Sequence, residues 1–417
     1  MRVSSLQIFQ NGVRNIQTGQ TNIANLQNQI STGKKLISPA DDPVAAAQIL
    51  KLQRELTTTQ TYNENITVSE RRLSLEEQTL QQIQNASDRV RELAIQANNG
   101  ALTDADRKGI AGEIREMQTF IQGLMNTRDA QGEYLFAGAK GKTQPFSNDG
   151  SGVYAYNGDD ETRLIQVGPE VFTQSTDSGR DIFQTIQVAA ANVQAPAPAG
   201  YSVSVSEPEV FRNYVNSNGR SDLTLEVVAG TNPGDPATYT LLDSDGNPVK
   251  GTSGNNLSGT VPDGLAPVTL DLSLEIGLSF AVTPPAGGSG TTDDLVFTPD
   301  VPRRNILTSI ENLIVSLEAG GTADEVNQAV TTALDELEQG QEGIISAQTQ
   351  MGGRLSTLEN QRTINEDFEI FTKAALSNLE DLDYAEAISA FSFQEVALQA
   401  AQQTFARVNN LTLFNFL

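Results

Sequence analysis

The sequence predicts a mainly α protein with a β insertion: both chain ends form a long antiparallel coiled-coil helical rod, with a β hairpin region and a separate all-β outer domain at the tip. Three observations predict this. Near the start Phe9, Ile16, Ile23 and Ile30 recur every seven residues, and near the end Tyr384, Phe391, Leu398 and Phe405 do the same. Between them lies a tract in which the apolar period drops to two and Gly, Pro, Ser and Thr accumulate. A heptad stripe is narrow and leaves water only by winding against a helix with a matching stripe. Helices of one character at both ends therefore imply a chain that runs out, forms β structure and returns.

Taken in order, the first helix runs to about Gly33. Its polar face is Gln, Asn and Thr with few charges, so its intrinsic support is weak, and Gly12 and Gly19 weaken it further. Gly33 reads as a C-cap, while Asp42 followed by Pro43 reads as a helix start: a carboxylate for the first free amides, then a ring already holding helical φ. A second helix follows to about Asn99, with Ile66, Leu73, Leu80, Ile83 and Val90 on its stripe. At ~1.5 Å per residue it would span about 85 Å. Asn98-Asn99-Gly100 ends it. Thr103 with Asp106 then resembles a capping box for a return helix marked by Ile110, Ile114, Met117, Ile121 and Leu124.

From Gly132 to about Phe183 the period is two. Residues 133–136, 153–156 and 163–167 read as strands, with Asn157-Gly158 as a hairpin turn. Residues 182–193 fit a short helix or another strand equally. From about Gln194 to Pro302, short alternating runs at 201–205, 223–228 and 270–274 sit between turn clusters, the pattern of an all-β domain. Helical periodicity returns at Arg303 and, after an interruption at Gly352-Gly353, leads into the terminal heptads. The domain division is thus 1–42 with 376–417 as the terminal assembly domain, 43–183 with 303–375 as a helical rod with a β hairpin, and 184–302 as the outer domain. The assembly surface is assigned to Phe9, Ile16, Ile23, Ile30, Tyr384, Phe391, Leu398, Phe405, Leu413, Phe416 and Leu417, and the helix joint to Gly33, Asp42 and Pro43.

Composition narrows the function. The chain has 417 residues, a net charge of −25, and no Cys, His or Trp. An acidic surface argues against nucleic acid, which needs clustered Lys and Arg. Without Cys or His there is no disulfide, thiolate or imidazole ligand, and the commonest general base is absent. No cofactor or metal is expected. Asp243-Ser244-Asp245-Gly246 reads as a turn, because no bidentate Glu follows at the spacing a calcium loop requires. No apolar run reaches membrane-span length, and the first residues lack the order of a secretory signal peptide.

The out-and-back plan resembles the flagellin superfamily, and specific motifs carry the likeness. Ser31-Thr32-Gly33-Lys34 followed by Ser38-Pro39-Ala40-Asp41-Asp42-Pro43 is similar to the joint of its hook-filament junction branch, where flagellin itself usually continues with alanines after the paired Asp. Asn126-Thr127-Arg128-Asp129, Gly132 to Gly138 and Thr143-Gln144-Pro145-Phe146 resemble the segment leading into that branch's first hairpin. Ala397 to Ala401 and Leu411 to Leu417 resemble its C-terminal signature, with Asn415 and Phe416 where Asp and Tyr are commoner. The likeness covers roughly 1–183 and 303–417.

The resemblance implies a non-enzymatic structural protein of the bacterial flagellum, extracellular and exported through the flagellar type III channel with no cleaved signal peptide. Implied partners are neighbouring copies, another junction protein on the hook side, flagellin and an export chaperone, with neither nucleic acid nor membrane. A flagellin filament subunit is the alternative within the superfamily. An extracellular hydrolase on a coiled-coil stalk is the alternative outside it, with Asp293-Asp294 or Asp159-Asp160-Glu161 as nominal carboxylates. Nothing in the sequence sets two of those carboxylates across a cleft.

Overall fold

A computed structural model describes residues 5–148, 150, 152–232, 235–261, 267–285 and 291–414. The chain is mainly α, with nine helices and fourteen strands among the described residues. The helices are α1 (Ser5–Thr32), α2 (Pro43–Ala97), α3 (Asp104–Met125), α4 (Gly179–Phe183), α5 (Pro208–Asn218), α6 (Ser273–Ile276), α7 (Ile306–Ala319), α8 (Ala323–Glu380) and α9 (Tyr384–Phe414). The strands are β1 (Phe146–Asn148), β2 (Tyr154–Tyr156), β3 (Leu164–Gly168), β4 (Val171–Gln174), β5 (Ile186–Gln187), β6 (Ala190–Val193), β7 (Ser202–Val205), β8 (Leu223–Val228), β9 (Thr238–Leu242), β10 (Ser258–Thr260), β11 (Val268–Leu272), β12 (Leu278–Val282), β13 (Thr292–Asp300) and β14 (Arg303–Arg304).

The chain divides into two compact units. One comprises residues 1–70, 165–173 and 355–417, and the other 71–164 and 174–354. In the second unit, parts of α2 and α8 lie with α3 and α7. Leu73, Leu80, Ile83 and Val90 of α2, Ile110, Ile114 and Ile121 of α3, and Ile310, Leu313 and Leu317 of α7 are all buried. The cap of α3 is reciprocal: the Thr103 hydroxyl accepts from the Asp106 amide, and the Asp106 carboxylate accepts from the Thr103 amide at 2.9 Å. Two antiparallel sheets, ordered β10-β9-β8-β13-β6 and β11-β12-β7, enclose a core in which Phe280 and Phe297 stand 5.6 Å apart between ring centroids.

Several local expectations are corrected. Residues 133–136 form no strand. Asp129 Oδ1 instead accepts from the amides of Gln131 and Glu133, each at 2.9 Å, curling the backbone so that Phe136 enters an aromatic cluster 5.0 Å from Phe183. Asn157-Gly158 joins no hairpin, because β2 pairs with β1 and β3 with β4. A Cβ on Gly158 would lie 2.3 Å from the Tyr156 hydroxyl, so this glycine serves close packing. The undecided stretch 182–193 holds both: Ile182 and Phe183 end α4, and β5 and β6 follow. The tract read as strands and turns also holds α5, whose Phe211 and Val215 enter the sheet core one helical turn apart. Gly352-Gly353 does not interrupt α8. Glycine costs a helix only about 1 kcal/mol, well within what 58 continuous residues sustain.

Candidate assembly interface

Within the first unit, α1 and α9 pair antiparallel, and the details show why. Neither helix carries a basic residue in its last turn, and α1 has no acidic residue in its first, so dipole support is thin. Side-chain packing must hold them. Gly12, Gly19 and Gly33 of α1 and its C-cap face Phe405, Leu398 and Tyr384: a Cβ at Gly12 would fall 2.6 Å from Phe405 Cδ2, at Gly19 3.2 Å from Leu398 Cδ1, and at Gly33 2.9 Å from the Tyr384 hydroxyl. Each step of seven along α9 meets a position seven earlier in α1, and the same register sets Phe391 opposite Leu26. Phe9 completes the seam, its ring 5.2 Å from that of Phe405 and tilted 43°.

The two glycines read from sequence as weak points are therefore the holes that receive the large residues of α9. This yields a graded expectation. On an open helix face Gly→Ala is stabilising by about 1 kcal/mol. Gly12→Ala drives a methyl into an aromatic ring and should lower the melting temperature of the pair, since overpacking costs about 1–3 kcal/mol. Gly19→Ala meets only the mobile tip of Leu398 and should be near neutral. Thermal melts followed by circular dichroism check the ordering, and equal effects at both glycines would refute the seating.

The pair is closed at its inner end by a joint. Gly33, at φ +71°, ends α1 in the left-handed region, and its carbonyl accepts from the Leu382 amide at 3.0 Å. The Lys35 amide donates to the Glu380 carbonyl at 2.7 Å, and the Lys34 ammonium pairs with the Glu380 carboxylate, raising the lysine pKa. Both exits from the helices are thus tied at one level. Asp383 Oδ1 caps α9 through the amides of Ala385 at 2.9 Å and Glu386 at 3.2 Å, while Asp42 Oδ1 caps α2 through those of Val44 and Ala45, each at 3.0 Å, with Pro43 first in the helix.

Pairing leaves much unburied. Ile16, Ile23, Ile30, Gly33, Phe391, Leu398 and Phe405 are half-buried, and Phe9, Tyr384, Asp42 and Pro43 are exposed. Leu413 lies in α9 but its side chain, like Phe416 and Leu417 altogether, is outside the described residues. Heptad reasoning missed a second apolar face on α9, formed by Ile388, Phe393 and Val396, the last two 74% and 66% exposed. Ile364, Phe368, Ile370 and Phe371 of α8 are exposed in the same unit. The available signal was the absence of a continuous polar face on α9. A soluble monomer rarely shows such an apolar surface without a partner for it.

Of the five nominal carboxylates of the hydrolase alternative, Asp159, Asp160 and Asp293 are engaged in structural contacts. Asp159 accepts from the Ala139 amide at 2.7 Å, Asp160 pairs with Arg180 at 3.0 Å, and Asp293 and Asp294 are successive residues of β13. Among the described residues no group of three acidic side chains is placed to hold a metal, and no helix is long and apolar enough to cross a membrane.

These features define a class: a structural protein whose two ends fold against each other and present apolar faces outward. The model of the bacterial flagellin N-terminal helical region matches residues 3–141, and that of the C-terminal helical region matches residues 327–417. The chain belongs to the flagellin superfamily. It is 23% identical over 415 residues, 99% of each chain, to the flagellar hook-associated protein 3 of Salmonella typhimurium. The B-type flagellin of Pseudomonas aeruginosa is 26% identical over 137 residues, 32% of this chain. A crystal structure of flagellar hook-associated protein 3 from Legionella pneumophila shares the fold, with a TM-score of 0.55 and 23% identity over 79% of this chain and 98% of that one.

Proposed function

We propose that the chain is the adaptor joining hook to filament in a bacterial flagellum, polymerising through its paired terminal helices. The observation that carries this is the second apolar face of α9, left open after α1 has been paired. Each copy buries that face, and the exposed residues of α8, against neighbouring copies, another junction protein on the hook side and flagellin on the filament side. At about 25 cal/mol per Å², a few large side chains per contact are enough to order helices of marginal propensity. The assembly residues are those of the two heptads, with Gly33, Asp42 and Pro43 as the joint. Residues 1–42 and 376–417 form the assembly domain, 43–183 and 303–375 the supporting layer, and 184–302 the outer domain.

Export through the flagellar channel as an unfolded chain, with a chaperone covering the terminal faces, fits two properties: there is no Cys to cross-link, and the terminal helices have little intrinsic support of their own. The adaptor reading is favoured over a filament subunit by Pro43 and by similarity over 99% of the chain to a hook-associated protein, where the B-type flagellin of Pseudomonas aeruginosa matches 32% of it. A fluorescent-tagged copy should mark one point at the base of each filament, and a strain lacking the chain should build hooks but release its flagellin unattached. Label along the whole filament would instead make the chain a filament subunit.

A further inference from the structure

The stripe of α2 in the second unit contains one carboxylate. Leu73, Glu76, Leu80 and Ile83 follow the three-four-three spacing of a core seam, and all four are buried, Glu76 completely. Three charged groups face it: Arg72 on the same helix, Asp177 just before α4, and Arg354 on α8. Both guanidiniums are already committed. Arg72 pairs with Asp129 at 2.5 Å and donates to the carbonyl of Tyr134 at 3.1 Å, and Arg354 pairs with Asp177 at 2.8 Å. With Glu133 also 4.0 Å from Arg72, two cations already meet three carboxylates, and Glu76 is a fourth with no counter-charge of its own. Neither of its oxygens receives a hydrogen bond from any donor. An ionised carboxylate in that state has nothing to offset the loss of its hydration.

We infer that Glu76 is a neutral acid in the folded chain and donates its proton to the Asp177 carboxylate, forming a carboxyl–carboxylate latch that holds the 174–178 segment between α2 and α8. A carboxylate pair repels, and one added proton turns the contact into a charge-assisted hydrogen bond. Asp177 is placed as the accepting member, with Arg354 Nη1 donating to its two oxygens at 2.9 and 2.8 Å. It also lines a polar cavity of about 240 Å³ with Ser178, Asp181, Ser346, Gln350 and Arg354, which gives the shared proton a path to solvent. Burial, and then the charge of Asp177, push the Glu76 pKa well above the ordinary glutamic acid value, whereas Arg72 and Arg354 oppose the rise.

The sign follows from linkage. With the folded value raised, the folded chain binds a proton that the unfolded chain has released. Stability is therefore full below the ordinary glutamic acid value and falls as pH climbs from there until the folded value is passed. In that window the folding equilibrium constant should drop about tenfold per pH unit. The chain has no His or Cys, so near neutrality little else changes protonation on folding.

The test is denaturant unfolding of the full-length monomer and of Glu76→Gln across about pH 5 to 8. Gln keeps the volume and donates to Asp177 without titrating. The wild type should lose stability relative to Glu76→Gln as pH rises, and a difference that stays constant across the range would overturn the latch. Should Glu76→Gln fail to fold, refolding of the wild type in unbuffered solution near pH 7 decides the matter. Uptake of about one proton per chain supports the latch, and no uptake overturns it.

Discussion

Removing residues 384–417 should leave a soluble chain with an intact second unit and no capacity to polymerise. The loss extends beyond α9 because, among the described residues, α9 supplies the side chains that pack along α1, and the joint at Glu380 and Leu382 ties only its end. Helix α1 lacks a charged residue of helpful sign at either end, and its glycine seats become openings to water once Phe405 and Leu398 are gone. A 28-residue helix of Asn, Gln and Thr with two interior glycines falls at the margin of independent stability. Far-ultraviolet circular dichroism should therefore lose the signal of α1 as well as that of the deleted segment. The second unit has its own core around α3, α7 and the two sheets, so it should unfold cooperatively as before. Sedimentation under assembly conditions should find monomer alone. Polymer formation or normal motility in this variant would contradict the assignment of the ends.

Much of this was legible because coiled-coil pairing is a periodic problem. The two heptads mark both terminal helices, although the α1 positions opposite Phe405, Leu398 and Tyr384 are Gly12, Gly19 and Gly33, and the capping residues Asp42 and Thr103 mark their helix starts by local chemistry alone. The failures share a cause, which is that tertiary packing decided them. Asn157-Gly158 carries a strong local turn signal, yet Tyr156 packs against Phe146 at 5.2 Å and takes β2 to β1. Helix α5 was hidden because it is short and commits few apolar residues, Phe211, Tyr214 and Val215, to the core. The apolar stripe read on α2 passed over Glu76, whose burial appears only once the helices opposite are known. Gly12 and Gly19 were read through propensity, a property of a lone helix, and their role appears only when the opposing residue is known.

The second large effect separates the two faces of α9. Phe391→Asp places a carboxylate in the seam opposite Leu26, half-buried, where desolvation penalises the charge and no cation of α1 lies in register. The monomer itself should then lose terminal helix content, and assembly should fail as a consequence. Val396→Asp lies on the outer face, 66% exposed, where a charge in the monomer remains hydrated. It should leave the circular dichroism of the monomer unchanged and still abolish polymerisation, because the charge is desolvated only when a neighbouring subunit covers it and the penalty recurs in every copy. Phe391→Leu keeps an apolar residue in the seam and should retain assembly, with weakened melting. If Val396→Asp polymerised like wild type while Phe391→Asp did not, the outer face would have no partner and the contacts between subunits would have to be sought on α8. If both variants lost monomer helicity alike, α9 would have one functional face instead of two.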